Sequence, residues 1–200
     1  MSTSRALRAA ALTAAALLAL SACGDDKNDD HLGGGNPTTG PGGGIGGTAT
    51  IPDAATKNTD AGAEAFAKFY FESVINGAYS TGNISAMVKY SDPKCIICRA
   101  TVGDIATAWA RGKVEGGQTS VSGVKATKAS DSLTNVDLKY SKTRYVEVDG
   151  AGNNVFSTPA QTGLDIIMQL TWNAKEKTWQ VREIVNQAAR AKAASASPTP

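Results

Sequence analysis

The sequence predicts an α+β domain in which three N-terminal helices pack on a curved four-stranded antiparallel sheet. Between residues 60 and 111, apolar residues recur at helical spacing. Between residues 118 and 183, they alternate with polar residues, as in strands with one buried face. Helical periodicity followed by strand alternation is typical of α+β proteins, whose helices gather on one face of an antiparallel sheet.

The first helix is predicted to begin at Asp60, as its N-terminal cap, and to end near Asn76 because Gly77 follows. Charged residues on its other side predict that one face of this helix stays in water. The residues expected to face the sheet recur at i, i+3, i+4, i+7 and i+8, namely Phe66, Phe69, Tyr70, Ser73 and Val74.

Two further helices are predicted before the sheet. Asn83 can cap a short second helix that carries Ile84, Met87 and Val88. Asp92 and Pro93 predict the start of a third helix, because proline lacks the N–H that the first helical position leaves unpaired. This helix is predicted to reach about Arg111, with an inward side formed by Val102, Ile105, Ala106 and Trp109.

Four strands are predicted to follow as an antiparallel meander. The first spans residues 118–129 and is broken at Gly123. The second contains Val136, Leu138 and Tyr140 and continues through Tyr145 to Val148. The third has the clearest alternation, in Leu164, Ile166, Met168, Leu170 and Trp172. The last strand contains Trp179, Val181 and Glu183.

The N-terminal residues predict a lipoprotein signal peptide over residues 1–22. Arg5 and Arg8 precede an apolar run at residues 9–20. As a helix this run is about 18 Å long, too short for a bilayer core of about 30 Å. The Leu-Ser-Ala-Cys sequence that ends at Cys23 resembles a bacterial lipobox, in which the cysteine is acylated. It predicts a lipid anchor at Cys23 on the extracytoplasmic face of the cell membrane.

Segments of low complexity flank the predicted domain. Residues 23–58 are rich in Gly, Pro, Thr and Asp, and residues 188–200 in Ala, Ser and Pro, so both are predicted to be disordered. The single domain between them, residues 59–187, is long enough to bury one core. His31 lies in the first segment beside several aspartates, where a solvated acidic spacer is favoured over a metal site.

The charge balance argues against a nucleic-acid partner. The chain carries 20 basic and 18 acidic residues, and removal of the signal peptide takes away Arg5 and Arg8, leaving 18 of each. Proteins that bind nucleic acids show a basic patch or stripe, which this sequence lacks. No cofactor and no metal are predicted.

Cys95 and Cys98 form the motif that most suggests chemistry. If Cys23 is lipidated, they are an even pair in an oxidising compartment, which favours a structural disulfide, and the intervening Ile96 and Ile97 favour a packed site. Zinc is disfavoured because it takes three or four protein ligands and the predicted domain has no histidine. Thiol–disulfide exchange stays open as an alternative, because a helix N-terminus stabilises a thiolate.

The sequence also resembles known proteins. The order of elements and the closing stretch DIIMQLTWNAKEKTWQVREI resemble the cone-shaped nuclear transport factor 2-like fold. More narrowly, AFAKFYFESVINGAYSTGNISAMVKYSDPKCIIC followed by GGQTSVSGV resembles a family of actinobacterial lipoproteins classed only as a domain of unknown function. The resemblance covers residue 59 to about residue 185 and implies a cone-like domain, without an activity to carry over.

The acidic residues give the best candidates for a catalytic group, since the predicted domain has no histidine to act as a general base. Glu183 is in phase with Trp179 and Val181 and is therefore expected to point into the cone. Three other acids are out of phase with the apolar residues and are expected to face solvent: Asp137, Glu147 and Asp165. The predicted pocket consists of Glu183, Trp109, Tyr140, Trp172 and Trp179.

Three functional hypotheses follow. The first is a membrane-anchored, non-enzymatic domain that binds an envelope protein or a small ligand, with its anchor at Cys23. The second is a small-molecule enzyme of isomerase or dehydratase type that uses Glu183. The third is a thiol–disulfide accessory protein that uses Cys95 and Cys98.

Overall fold

The structure, a computed structural model, describes residues 49–188 and contains an α+β domain. Its helical part comprises a 3-10 turn Asp53–Thr56, helix α1 Asp60–Phe69, a π-helical segment Tyr70–Ile75, and helices α2 Asn76–Thr81, α3 Ser85–Tyr90 and α4 Ile96–Arg111. The strands are β1 Gly112–Gly116, β2 Thr119–Lys128, β3 Thr134–Lys142, β4 Tyr145–Asp149, β5 Asn154–Thr158, β6 Gln161–Asn173 and β7 Thr178–Asn186. Among residues 49–188, no helix is both long and apolar enough to cross a membrane.

The strands form two antiparallel sheets. The predicted four-stranded sheet is present with the order β2-β3-β6-β7. A smaller sheet, with the order β1-β4-β5, was not predicted. The expected continuation of the second strand from Tyr140 to Val148 is wrong, because the chain leaves the large sheet after Lys142. Tyr145 then packs with Val114 and Ala108 in a second, smaller core, and this packing draws β4 onto β1.

The first helical stretch is longer than predicted and changes its pitch. Thr59, rather than Asp60, caps it, because the Thr59 hydroxyl accepts from the Gly62 amide at 3.1 Å. Gly77 does not end it; Gly82 does, in the left-handed conformation. The π-helical segment inserts an extra residue into one turn and so rotates the faces of the helix. As a result Phe71 is buried, whereas Ser73, expected to be inward, is exposed.

The third predicted helix, α4, begins three residues later than Pro93. The Asp92 carboxylate accepts from the Lys94 amide at 2.7 Å, and the Asp92 carbonyl accepts from the Cys95 amide at 2.9 Å, so these residues form a turn. Cys95 caps the helix instead. On the inward side Ile105 and Ala108 are buried, whereas Ala106, expected to be inward, is exposed.

Aromatic side chains fill the space between the helices and the large sheet. The Phe66 ring lies 5.8 Å from the Tyr90 ring, edge to face, and the Phe71 ring lies 5.5 Å from the Tyr140 ring of β3. The Tyr70 hydroxyl is satisfied by the Ser91 hydroxyl at 2.8 Å. Burial raises the pKa of Tyr70 to about 12. The space between the helices and the large sheet is therefore packed with side chains.

Helix side chains cover the edge of the large sheet at β2. The Glu64 carboxylate accepts from the Ala126 amide at 3.0 Å, and the Glu72 carboxylate accepts from the Val121 amide at 3.1 Å. The Asn76 side chain both donates to the Thr119 carbonyl at 2.9 Å and accepts from the Thr119 amide at 2.7 Å. These bonds satisfy backbone groups that an edge strand otherwise leaves open to pairing with another chain.

This arrangement predicts that Glu72→Ala speeds hydrogen exchange at the Val121 amide several-fold. The lost bond is partly solvated, so the free energy of unfolding should fall by only about 0.5–1 kcal/mol. Amide exchange followed by NMR measures both effects. Glu176→Ala, at an exposed glutamate in the β6–β7 turn, is the matched control and should leave the Val121 amide unchanged. Equal exchange in the two variants would show that Glu72 does not cover the edge.

Candidate functional site

The five residues of the predicted pocket do not line one cavity. Trp109 lies between α2 and the small sheet, where its indole N–H donates to the Tyr79 carbonyl at 3.2 Å. Tyr140 packs on Phe71 inside the core, and burial raises its pKa. Trp172 and Trp179 form a third environment, with ring centroids 5.2 Å apart.

Glu183 does not point into the core beside Trp179 and Val181, contrary to the prediction. A bulge in β7 pairs Val181 with Leu170 but Glu183 with Gln169, so one extra residue interrupts the alternation. Ile184 therefore packs against the core in place of Glu183. The Glu183 carboxylate accepts from the Ile96 amide at 3.4 Å and from the Ile184 amide at 3.0 Å. It thus acts as a cap at the start of α4.

The Cys-x-x-Cys pair forms a disulfide at the start of α4. The sulfurs of Cys95 and Cys98 are joined, and both residues are buried, at 0% and 2% exposure. The Cys95 sulfur also accepts from the Cys98 amide at 3.2 Å. The preceding turn is tied to β7, because the Asp92 amide donates to the Val181 carbonyl at 2.8 Å. The disulfide therefore fixes the beginning of α4 where it meets the last strand.

This geometry does not favour exchange chemistry. A substrate thiolate must reach one of the sulfurs, and burial of both side chains blocks that approach. After reduction, a thiolate at Cys95 would face the Glu183 carboxylate, whose oxygen lies 3.9 Å from the Cys95 sulfur. A neighbouring negative charge disfavours the thiolate, although the helix N-terminus favours it. The geometry therefore favours a structural link over thiol–disulfide exchange.

The two isoleucines between the cysteines are not packed, contrary to the sequence-based expectation. Ile96 is 65% exposed and Ile97 is 47% exposed, and Val88 in α3 is exposed as well. The disulfide orients α4 so that its buried side includes Cys98 and Ile105. Ile96 and Ile97 therefore fall on the outer side of its first turn.

Glu147 is a second acid whose surroundings differ from the prediction. Its side chain is only 13% exposed, whereas Asp137 and Asp165 face solvent as expected. The Tyr145 hydroxyl donates to the Glu147 carboxylate at 3.1 Å. Burial and this bond raise the pKa of Tyr145. The alternation pattern predicted the wrong face for Glu147 because β4 belongs to the small sheet. In that sheet the buried face is the one that carries Val114.

A groove beside Trp172 and Trp179 combines aromatic, hydroxyl, amide and charged side chains. Its volume is about 400 Å³. It lies between the chain entering α1 and the β2–β3 turn, and its lining includes Asn58, Asp60, Lys128, Asp131, Ser132, Leu133, Trp172 and Trp179. Of the five residues of the predicted pocket, Trp172 and Trp179 line this groove together. The polar residues come from distant parts of the sequence, which no local pattern indicates.

A second groove, of about 430 Å³, lies near Tyr90. Lys89, Glu176 and Lys177 contribute to its lining, together with Ile51 and Thr178. Its one aromatic residue, Tyr90, is buried in the core. This groove therefore offers charged side chains but little aromatic surface. Among residues 49–188, no group of three or more His, Cys, Asp or Glu side chains is placed to hold a metal ion.

Comparison with known proteins places the domain in a family. Residues 50–185 match the family described as "Family of unknown function (DUF6318)". The chain belongs to this family. The DUF6318 match covers all of the helices and nearly all of the strands described above. No curated protein matches the chain.

Two solved structures show distant likenesses to this DUF6318 chain. Aln2 from a Streptomyces species is 10% identical, with 65% of this chain and 96% of that chain covered and a TM-score of 0.38. An uncharacterized protein with a cystatin-like fold from Caulobacter vibrioides is 14% identical, with 61% and 89% covered and a TM-score of 0.33. Both likenesses are too distant to carry an argument about function.

Proposed function

We propose that this DUF6318 protein is a lipid-anchored, extracytoplasmic protein whose domain binds a ligand or an envelope partner without catalysing a reaction. The groove at Trp172 and Trp179 is the observation that carries the proposal. It combines aromatic surface with amide, hydroxyl and charged groups, as small-ligand sites do. The interior of the cone, where an enzyme of this architecture would hold its substrate, is filled by aromatic side chains.

The finer architecture that we propose is the cone of the nuclear transport factor 2-like fold. Helices precede the large sheet in the chain and pack on it through α1. Bulges interrupt the pairing of β2 with β3, of β3 with β6 and of β6 with β7. Bulges bend the strands that contain them, and a sheet bent repeatedly in this way curves around the helices.

The lipid anchor is proposed from the sequence, because Cys23 lies outside the described residues. The Leu-Ser-Ala-Cys stretch follows an apolar run of the length that signal peptides use. A disulfide in the folded domain suits the same location, since disulfides persist in oxidising compartments outside the cytoplasm. Two or more acyl chains would be needed for a stable anchor, since one gives only marginal binding.

Cys23→Ala is expected to abolish lipid labelling of the chain and to move it from the membrane fraction to the soluble fraction. Metabolic labelling with an alkyne fatty acid, followed by fractionation, measures both. The Cys95→Ala/Cys98→Ala double variant is the control, because it removes the same residue type elsewhere and should keep the label. Persistent labelling of Cys23→Ala would contradict the anchor.

Non-catalytic binding is supported by the positions of the two groups that the alternatives need. Glu183, the acid of the isomerase or dehydratase hypothesis, is bonded to the amides of Ile96 and Ile184. The sulfurs of the exchange hypothesis, at Cys95 and Cys98, are buried. Neither group lines the groove at Trp172 and Trp179 or the groove near Tyr90.

Crosslinking from the groove tests the binding function. A photoreactive amino acid at Ser132, on the groove rim, should give a distinct adduct in intact cells that express the full chain. The same amino acid at Ala151, in the β4–β5 turn, should give none. Trp172→Ala should remove the Ser132 adduct. Equal adducts at both positions, or none at Ser132, would remove the groove as the functional site.

A further inference from the structure

We propose that the groove beside Trp172 binds a neutral oligosaccharide, with the Trp172 indole as the platform for one sugar ring. This inference rests on the proposed binding function and specifies its ligand class. It is carried by the hydrogen-bond state of the three tryptophans, the shape of the groove and the chemistry of its rim.

The three tryptophans differ in one respect. The indole N–H of Trp109 donates to the Tyr79 carbonyl at 3.2 Å, and that of Trp179 donates to the Lys57 carbonyl at 3.0 Å. Within residues 49–188, the indole N–H of Trp172 has no such partner. Trp172 is only half-buried, so its N–H remains available as a donor on the groove wall.

Trp172 is also held in place. Its ring meets the buried ring of Trp179 edge to face, with centroids 5.2 Å apart. Trp179 is in turn fixed by its bond to Lys57. A rigid aromatic ring loses little conformational entropy when a ligand stacks on it. The apolar face of a pyranose presents C–H groups, which suit the negative face of an indole ring.

The rim supplies groups that recognise hydroxyls. The side chains of Asn58 and Asp60 have no protein partner within the described residues and so remain available to a ligand. An amide both donates and accepts, and a carboxylate accepts from two neighbouring hydroxyls. At about 400 Å³, the groove falls in the lower part of the range for small-molecule sites. This size suits one or two sugar units of a longer chain.

The charges of the rim select a neutral ligand. Lys128 and Asp131 form an ion pair at 3.1 Å, and Asp60 is the remaining charged residue of the groove lining. A phosphate or carboxylate on the ligand would be repelled by Asp60. Nucleotides, anionic lipids and acidic sugars are therefore disfavoured, whereas neutral hexoses and N-acetylhexosamines are not.

The test uses the three indole N–H signals in a proton–nitrogen NMR spectrum of the full chain in a mild detergent. Chitotriose and maltotriose, both neutral trisaccharides, are titrated separately. With at least one of them, the Trp172 signal should shift and saturate. The Trp109 signal should stay in place, and the Trp179 signal should shift less than that of Trp172 because its donor is already bonded to Lys57. The signal that disappears in the Trp172→Phe variant is thereby assigned to the Trp172 indole N–H.

Affinity measured by calorimetry completes the test. Trp172→Ala should weaken the binding at least about tenfold, and Trp172→Phe should weaken it less because the ring face remains. Phe156→Ala, at an exposed aromatic residue on β5, should leave the affinity unchanged. Circular dichroism tests whether each variant is folded. If Trp172→Ala is unfolded, Trp172→Phe is used in its place.

Two results would overturn the inference. One is the absence of a saturable Trp172 shift with both sugars, and the other is an equal shift of all three indole signals. If the Ser132 crosslink nevertheless forms and depends on Trp172, the binding function stands and only the ligand class is wrong. If the crosslink is absent too, both proposals fail.

Discussion

Phe66→Ala is expected to lower the free energy of unfolding by about 3–5 kcal/mol. Phe66 is fully buried, and its ring contacts those of Phe69, Tyr70 and Tyr90. Removing it leaves a cavity that the fixed α1 backbone cannot close, and it also removes the edge-to-face contact with Tyr90. Natural domains are held folded by only about 5–15 kcal/mol, so this loss is large. Urea unfolding followed by circular dichroism measures it.

Phe156→Ala is the matched control for Phe66→Ala. The chemical change is identical, but Phe156 lies on β5 and is 51% exposed. Its ring centroid lies 6.3 Å from that of Tyr145, and because the side chain is already half in water, a loss below about 1 kcal/mol is expected. Similar losses in the two variants would mean that the helices do not pack on the large sheet as described.

Replacing both cysteines, as Cys95→Ala/Cys98→Ala, is expected to destabilise the domain by about 2 kcal/mol. The disulfide closes a loop of only four residues, for which the chain-entropy relation gives a value at the low end of the usual range. For a domain of this size, the melting temperature should fall by roughly 4–8 °C. The turn before α4 should show the largest increase in hydrogen exchange, because the start of the helix loses its covalent link, although the bond from the Asp92 amide to the Val181 carbonyl remains.

The same variant separates a structural link from exchange chemistry. Insulin reduction and oxidation of a reduced test protein should be equal for wild type and variant, since the buried sulfurs are closed to a substrate. The natural pair should also have a reduction potential below about −300 mV, as structural disulfides do. A potential between about −120 and −200 mV, or a variant with unchanged stability and lost exchange activity, would restore the redox hypothesis.

The α+β class and the four-stranded sheet could be predicted because their signals are local. The alternation from Leu164 to Trp172 is strong enough to indicate a strand by itself. The π-helical segment and the small sheet could not be predicted in this way. The small sheet depends on contacts between distant residues, such as the packing of Tyr145 on Val114, and these contacts override the local periodicity.

The candidate site was predicted only in part for a related reason. The cysteine pair is a local motif, and the pairing of Trp172 with Trp179 follows from the β6–β7 hairpin. Glu183 was misplaced because a single bulge reverses the phase of every residue after it. The groove rim at Asn58 and Asp131 depends on the docking of α1 against the sheet, which sequence spacing does not encode.

The bond from the Trp179 indole to the Lys57 carbonyl has a mechanical consequence. It links the segment that enters α1 to the last strand. Ala55, which is buried in the preceding turn, strengthens this attachment. Tension applied to the chain ahead of residue 53 is then transmitted to β7, at the edge of the large sheet, before it can peel α1 away. The domain therefore resists local unfolding at its N-terminal end. A force applied to that end would first displace the wall of the groove.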